Sequence, residues 1–216
     1  MISRPARDRH NHHRDLGHVV SRGADFAVIG KLRVVRVGWA FGDFGSPCHV
    51  EEHLILPEGF KISAAATKKH HITNESVVAG GIPLSKALTN MLNDARRLVH
   101  QGGRLCSHHL EFDAGIIAEE MNRCGLSAAV GVWEELVMRH GFCTMGRDVG
   151  KWIRQQSGEA DASRAIMKLN ELVCKLLPDA PALLAKHHSA GNDAYMHWRV
   201  LRELVQRCGE DDGTTA

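Results

Sequence analysis

Two apolar runs near the start of the chain have the composition of β-strands. Residues 32–41 are rich in β-branched side chains and end at Gly42, and a second run follows at residues 49–56. The segment between them contains glycine, serine and proline, which favour turns. Two such runs joined by a turn predict a β-hairpin, which ends at Pro57.

Further along the chain, apolar residues recur at the three- and four-residue spacing of amphipathic helices. The clearest such pattern covers residues 82–100, and a short segment at 104–107 then predicts a buried strand. Further helices are predicted at residues 114–124, 132–139, 145–156, 169–177 and 190–207. Strands followed by helices that alternate with a further strand predict an α/β or mixed sheet covered by helices.

Length and composition fit one domain of ordinary globular type. The chain has 216 residues, of which 44% are hydrophobic and 24% are charged. No apolar run approaches the roughly 18 residues that a membrane-spanning helix needs, so no membrane partner is expected. The net charge of +2 gives no argument for a large basic surface that binds long duplexes tightly. An enzyme that grips a few terminal nucleotides would not need such a surface.

The cysteines indicate a reducing compartment. They are scattered without a C-x-x-C pair, at Cys48, Cys106, Cys124, Cys143, Cys174 and Cys208. Several lie in apolar segments, where small buried thiols are expected, so a disulfide framework is not favoured. We therefore expect an intracellular protein, with cytoplasm, nucleus and organelle all left open.

Two segments far apart in the sequence carry side chains suited to metal-assisted phosphodiester hydrolysis. Asp113 lies at the junction of a predicted strand and helix, and His188 precedes Asp193 at the start of the last predicted helix. Carboxylates hold divalent cations that stabilise charge on the attacking and leaving oxygens, and a neutral imidazole takes a proton from water. Each residue also has a simpler explanation, since aspartate caps helix N-termini and a histidine there is often just a surface residue.

The order and separation of these residues resemble the DEDDh proofreading exonucleases, the superfamily of the polymerase III epsilon subunit. Residues 108–113 (H-H-L-E-F-D) and 188–193 (H-S-A-G-N-D) are similar to the second and third motifs of that family. The resemblance covers about residues 25–206, and the ordered set is more specific than any one motif. The other similar segments are residues 32–41, 50–55, 70–75, 81–84, 142–145 and 168–177.

The resemblance implies an α/β, RNase H-like fold, in which a mixed β-sheet is flanked by helices. It implies that Asp113 and Asp193 are ligands of two divalent cations, Mg2+ or Mn2+, and that His188 is the general base. Asp25 would be a further metal ligand, and His108 would contact the substrate. The expected partner is the 3′ end of a DNA or RNA strand; a polymerase or repair partner stays unknown.

The chain divides into three parts on this interpretation. Residues 1–23 are rich in arginine and histidine and lack an apolar signal core, so we expect a flexible arm. An organelle transit peptide is the alternative for this segment. Residues 24–207 form the exonuclease-like domain, and residues 208–216 form a polar tail.

The first motif departs from the family pattern. The family has D-x-E-T-T-G before its second strand, and the best match here is residues 25–30, in which Ala27 stands where the glutamate belongs. Loss of a metal-holding carboxylate weakens metal binding and positioning. Three explanations stay open: an inactive relative, a sequence whose N-terminal part is wrong or truncated, and an engineered substitution. The segment before Asp25 favours the second.

The sequence therefore supports two functions. The first is a metal-dependent 3′-5′ exonuclease whose hydrolysis is impaired by loss of the first-motif glutamate. The second is a catalytically inactive, exonuclease-like protein that binds nucleic acid or acts as a scaffold.

Overall fold

A five-stranded mixed β-sheet forms the centre of the molecule. The computed structural model describes the backbone of residues 18–29, 31–158, 166–185 and 189–211, and the side chains of residues 33–158, 166–185 and 189–208. The strands lie in the order β3-β2-β1-β4-β5. Strand β4 runs parallel to β1 and to β5, whereas β2 is antiparallel to β1 and to β3. Their bounds are β1 (His18–Ile29), β2 (Lys31–Asp43), β3 (His49–Leu54), β4 (Arg104–Ser107) and β5 (Gly141–Cys143).

Helices follow the hairpin and separate the last two strands. Within the described ranges they are α1 (Ala64–His70), α2 (Asn74–Gly80), α3 (Leu84–His100), α4 (Leu110–Arg123), α5 (Ser127–His140), α6 (Arg147–Gln156), α7 (Leu169–Leu176), α8 (Ala180–Leu184) and α9 (Ala190–Asp211). The described part of the chain has no helix that is both long and apolar enough to cross a membrane.

Helices cover both faces of the sheet, because neighbouring residues of a strand point to opposite sides. Val37 and Trp39 of β2 belong to a core that α3, α4 and α5 complete. Ala40 of β2 and Cys106 of β4 instead pack with α9. The other side of α9 is covered by α6, α7 and α8 through a separate apolar cluster. This is the predicted fold class, a mixed sheet flanked by helices.

The predicted hairpin is confirmed as the antiparallel pair of β2 and β3, and the predicted strand at residues 104–107 is β4. Strand β1 begins at His18, so the predicted domain boundary at residue 24 falls inside a strand. The sequence at residues 21–23 is a weak strand former, but β1 pairs with β2 on one side and β4 on the other. Residues 1–17 of the predicted arm lie outside the described residues.

At the other end, α9 continues to Asp211, into the predicted tail.

Glu120 is a buried carboxylate that ties α4 to β2. Its side chain is 1% exposed. Its Oε1 accepts hydrogen bonds from the backbone N–H of Val34 at 3.1 Å and from Nη1 of Arg123 at 2.6 Å, and Nε of Arg33 lies 3.5 Å away. A buried charge is tolerated only when it is paired, so this cluster fixes α4 relative to the sheet.

Glu120→Ala is expected to lower the free energy of unfolding by about 2–3 kcal/mol, because a buried N–H loses its acceptor and two arginines lose a carboxylate. Glu119→Ala is the matched control: it removes a carboxylate that is 66% exposed and paired with the same Arg123. Such a pair contributes less than about 0.5 kcal/mol. Urea unfolding measures both variants, and equal losses would contradict the structural role of Glu120.

Candidate active site

The carboxyl ends of the parallel strands β4 and β5 carry the polar side chains of the candidate site. Strand β4 ends at Ser107, and Thr144 directly follows β5. Both residues are buried, and the backbone N–H of Thr144 donates to the carbonyl of Ser107 at 3.1 Å. In open α/β sheets, ligands bind in the crevice outside this end of the strands.

Asp113 lies in the first turn of α4, directly after β4. The helix begins at Leu110 with His109 at its N-cap, so Asp113 does not cap it. The carboxylate of Asp113 accepts a hydrogen bond from the Ser107 hydroxyl, and the same hydroxyl accepts one from the backbone N–H of His109 at 3.3 Å. The half-buried carboxylate is thus held against the end of β4, and the helix N-terminus stabilises its negative charge.

Asp193 occupies the corresponding place in α9. The helix begins at Ala190, and Asp193 lies in its first turn. The Ser189 hydroxyl accepts a hydrogen bond from the backbone N–H of Asn192 at 3.3 Å, so Ser189 provides the cap. Both aspartates are half-buried. The simpler explanation, in which each aspartate caps its helix, therefore does not apply.

The start of α9 lies directly against the backbone of β2. A Cβ atom at Gly38 would be 2.5 Å from the backbone nitrogen of Gly191 and 2.6 Å from the carbonyl carbon of Ala190, so only glycine permits this approach. From β3, Oε2 of Glu52 accepts a hydrogen bond from the N–H of Gly191 at 2.6 Å and another from the Ser189 hydroxyl. A carboxylate at this helix N-terminus satisfies donors that the helix itself leaves open.

Thr144 connects two histidines. Its Oγ1 lies 3.1 Å from Nδ1 of His108 and 2.8 Å from Nε2 of His197, which is fully buried. His197 lies one helical turn after Asp193. Burial lowers the pKa of His108 below its ordinary value, and the backbone of Met167 opposes the shift. The predicted contact of His108 with substrate stays a prediction.

The two aspartates therefore lie at the same end of the sheet. Ala194, the residue after Asp193, packs in one cluster with Cys106, the residue before Ser107. Ser107 is the hydrogen-bond donor to Asp113. Packing of α9 on β4 thus brings the segment of Asp193 to the strand end that holds Asp113.

His188 lies outside the described residues, so its predicted role as general base stays a prediction. The described chain resumes at Ser189, which is fixed by Glu52.

The first-motif segment lies in β1, where the side chains of residues 18–32 are outside the description. The backbone pairs Asp25 with Arg36 and Ala27 with Arg33, and a bulge separates Asp25 from Phe26. Ser21 is the last residue of β1 that pairs with β4, opposite Cys106. Asp25 follows Ser21 by four residues, so it lies about 13 Å further along β1, at roughly 3.3 Å per residue. Its role as a metal ligand stays a prediction.

Asp113 and Asp193 are the ligand type that a hydrated divalent cation takes. Mg2+ is commonly held by one or two carboxylates together with waters and substrate phosphates, and Asp113 and Asp193 are carboxylates of this kind. Among the side chains that the structure describes, no group of three or more histidine, cysteine, aspartate or glutamate residues could hold a metal ion. The side chains of Asp25 and His188, the other predicted site residues, lie outside the described part of the chain.

Sequence reasoning did not identify Thr144, His197 or Glu52. His197 follows Asp193 by four residues, the spacing that places two side chains on one helix face, and this signal was available in the sequence. Thr144 and Glu52 contact residues of α9 that are far away in the sequence, and no local sequence pattern indicates such contacts.

Solved structures match most of the chain, whereas no family model and no curated protein sequence matches it. E. coli Exonuclease I in complex with a dA16 oligonucleotide has a TM-score of 0.67 at 12% identity, over 90% of this chain and 42% of that chain. The same enzyme is solved in a zinc-bound form with single-stranded DNA. The RNase domain of yeast Pop2 has a TM-score of 0.61 at 13% identity, over 89% of this chain and 78% of that chain.

A 3′-exonuclease that recognises the 3′ end of the histone mRNA stem-loop has a TM-score of 0.58 at 11% identity, over 89% of this chain and 64% of that chain. These neighbours are exonucleases and an RNase domain, and their folds confirm the RNase H-like fold that the resemblance implies. The chain spans less than half the length of Exonuclease I.

Gly38→Ala is expected to displace the start of α9, because the added methyl group meets backbone atoms that cannot rotate away. Overpacking of this kind lowers the free energy of unfolding by about 1–3 kcal/mol. Gly131→Ala, in α5, is the control: its Cβ meets nothing within 4 Å, and alanine stabilises a helix by about 0.5–1 kcal/mol over glycine. Denaturant unfolding checks both, and a Gly38→Ala protein as stable as the unmodified chain would disprove the close contact.

Proposed function

We propose that this chain is a metal-dependent 3′-5′ exonuclease that hydrolyses phosphodiester bonds at the 3′ end of a DNA or RNA strand. The observation that carries the proposal is the position of Asp113 and Asp193, in the first turns of two helices at the carboxyl end of an exonuclease-type sheet. Neighbours solved with a DNA oligonucleotide or an RNA stem-loop support a nucleic-acid substrate.

Each residue has a distinct role in this proposal. Asp113 and Asp193 would hold a divalent cation, Mg2+ or Mn2+, which when bound stabilises the charge on the attacking and leaving oxygens. The zinc-bound form of Exonuclease I supports a divalent cation in a protein of this fold. The Ser107 hydroxyl orients Asp113 through its hydrogen bond. His188 would take the proton from the attacking water, since a histidine of ordinary pKa is largely neutral at physiological pH.

An exposed aromatic surface beside Asp113 suits the terminal nucleotides. Phe112 is 40% exposed, and its ring stacks on that of His109 with centroids 5.3 Å apart and planes 15° apart. Bases stack on aromatic side chains with little regard to sequence, which suits an enzyme that removes every nucleotide in turn.

A catalytically inactive domain that binds nucleic-acid ends or acts as a scaffold is the second candidate. Ala27 in place of the family's glutamate favours it, as does the backbone register that sets Asp25 beyond the β1–β4 pairs. Such a protein would bind a labelled oligonucleotide without metal-dependent cleavage.

Asp113→Asn and Asp193→Asn are each expected to lower the rate of cleavage more than 100-fold, because the amide keeps the shape of the side chain but not the charge that holds a cation. Asp148→Asn is the matched control, since Asp148 is an exposed aspartate in the first turn of another helix, α6. The assay follows a 3′-labelled single strand with Mg2+ or Mn2+, and with EDTA as the metal-free reference.

Three outcomes separate the candidates. Loss of cleavage in the two site variants but not in Asp148→Asn supports the exonuclease. Binding without product above the Asp193→Asn background supports the inactive domain. Metal-dependent cleavage that survives in both site variants would exclude the assigned site.

Phe112→Ala is expected to raise the KM for a single-stranded oligonucleotide about tenfold, because base stacking on an aromatic ring contributes about 1–3 kcal/mol, while kcat changes little. Met138→Ala removes another exposed apolar side chain, 77% exposed, from α5 and should leave KM unchanged. Steady-state kinetics on the same oligonucleotide measures both, and an unchanged KM for Phe112→Ala would rule out the stacking contact.

A further inference from the structure

Thr144 lies at the meeting point of the two elements that carry the candidate aspartates. Its backbone N–H donates to the carbonyl of Ser107 at 3.1 Å, and the Ser107 hydroxyl donates to Asp113. Its side chain bonds to His197, one turn after Asp193 on α9. The residue therefore links the strand end that holds Asp113 to the helix that carries Asp193.

The hydroxyl of Thr144 makes this link directional. A threonine hydroxyl has one hydrogen to donate and two lone pairs to accept with, and two imidazole nitrogens lie within 3.1 Å of it. When Thr144 donates to one ring, the other ring must donate to Thr144, so the tautomers of His108 and His197 are coupled. The group is buried, with Thr144 2% and His197 0% exposed, so water cannot replace a lost partner.

We propose that Thr144 and His197 are positioning residues that fix Asp193 relative to Asp113. The proposal rests on the proposed function, because it takes these aspartates as the pair that holds the cation. Neither residue touches the reacting atoms. Their contribution is geometric, and a misplacement of about 1 Å in an active site can lower the rate by about 100-fold.

Thr144→Val tests the link, because valine keeps the shape of threonine and removes the hydroxyl. We expect kcat to fall at least tenfold, the KM for oligonucleotide to change less than about twofold, and the Kd for Mn2+ to rise about tenfold. Thr144→Ser keeps the hydroxyl and should retain kcat and Mn2+ affinity within about threefold of the unmodified protein.

Thr67→Val is the matched control, since it removes a threonine hydroxyl that donates to the carbonyl of Ile72 at 2.9 Å, in α1. A merely structural role for Thr144 would make the two valine variants alike: a lower melting temperature with kcat and Mn2+ affinity retained. That result would overturn the proposal. Should Thr144→Val fail to fold, His197→Gln, whose amide can still reach Thr144, and His197→Leu, which cannot, provide the same comparison.

Hydrogen exchange separates failure of this inference from failure of the proposed function. The N–H of Asp193 bonds to the carbonyl of Ser189 at 2.9 Å in the first turn of α9. We expect faster amide exchange there in Thr144→Val, but not in Thr144→Ser or Thr67→Val, whether or not the protein cleaves nucleic acid. Unchanged exchange in Thr144→Val would overturn the positioning role even in an active enzyme.

Discussion

The contact between the start of α9 and the backbone of β2 is the constraint on which the rest of the structure depends. It exists because Gly38 has no side chain: a Cβ there would lie 2.5 Å from the backbone nitrogen of Gly191 and 2.6 Å from the carbonyl carbon of Ala190. Burial of the N–H groups at a helix start is costly unless they are paired. Glu52 supplies that partner from β3, so the close approach is stabilised as well as permitted.

The position of α9 then decides the arrangement of the candidate site. The helix is buried on both sides, by the sheet through Ala194 and Trp198 and by the surrounding helices through Met196 and Val200. With the helix start fixed and both faces packed, its rotation about its own axis is set. Asp193 and His197, which are one turn apart, therefore face the strand ends, where the ring of His197 forms a hydrogen bond with Thr144.

The elements that could be predicted are those that a local sequence pattern of apolar and polar residues specifies. The hairpin, β4 and the long helix α3 were predicted from strand composition, a short apolar run and helical spacing, and the structure confirms them. The start of β1 was not predicted, because Ser21 and Gly23 interrupt its apolar pattern and only pairing on both edges sustains the strand. The same limit applies to the site. Asp113 and Asp193 were identified because each lies in a recognisable motif at the start of a predicted helix. Glu52 and Thr144 were not, because they act through contacts with residues that are distant in the sequence.

On the proposed function, the fold and the hydrolysis depend on different groups of this protein, so an altered first motif can coexist with an intact RNase H-like fold. Carboxylates gathered around a cation repel one another when it is absent, which raises the free energy of the empty site. The family's pattern has a glutamate where this chain has Ala27, and on the proposed function its loss would relieve that repulsion while weakening the hold on a cation. The sheet and α9 are held by glycine contacts, apolar burial and the Glu52 hydrogen bonds, and none of these requires a metal ion. Selection for the fold alone would therefore leave the first motif free to change, whereas selection for the proposed hydrolysis would act on the charge that Asp113 and Asp193 provide.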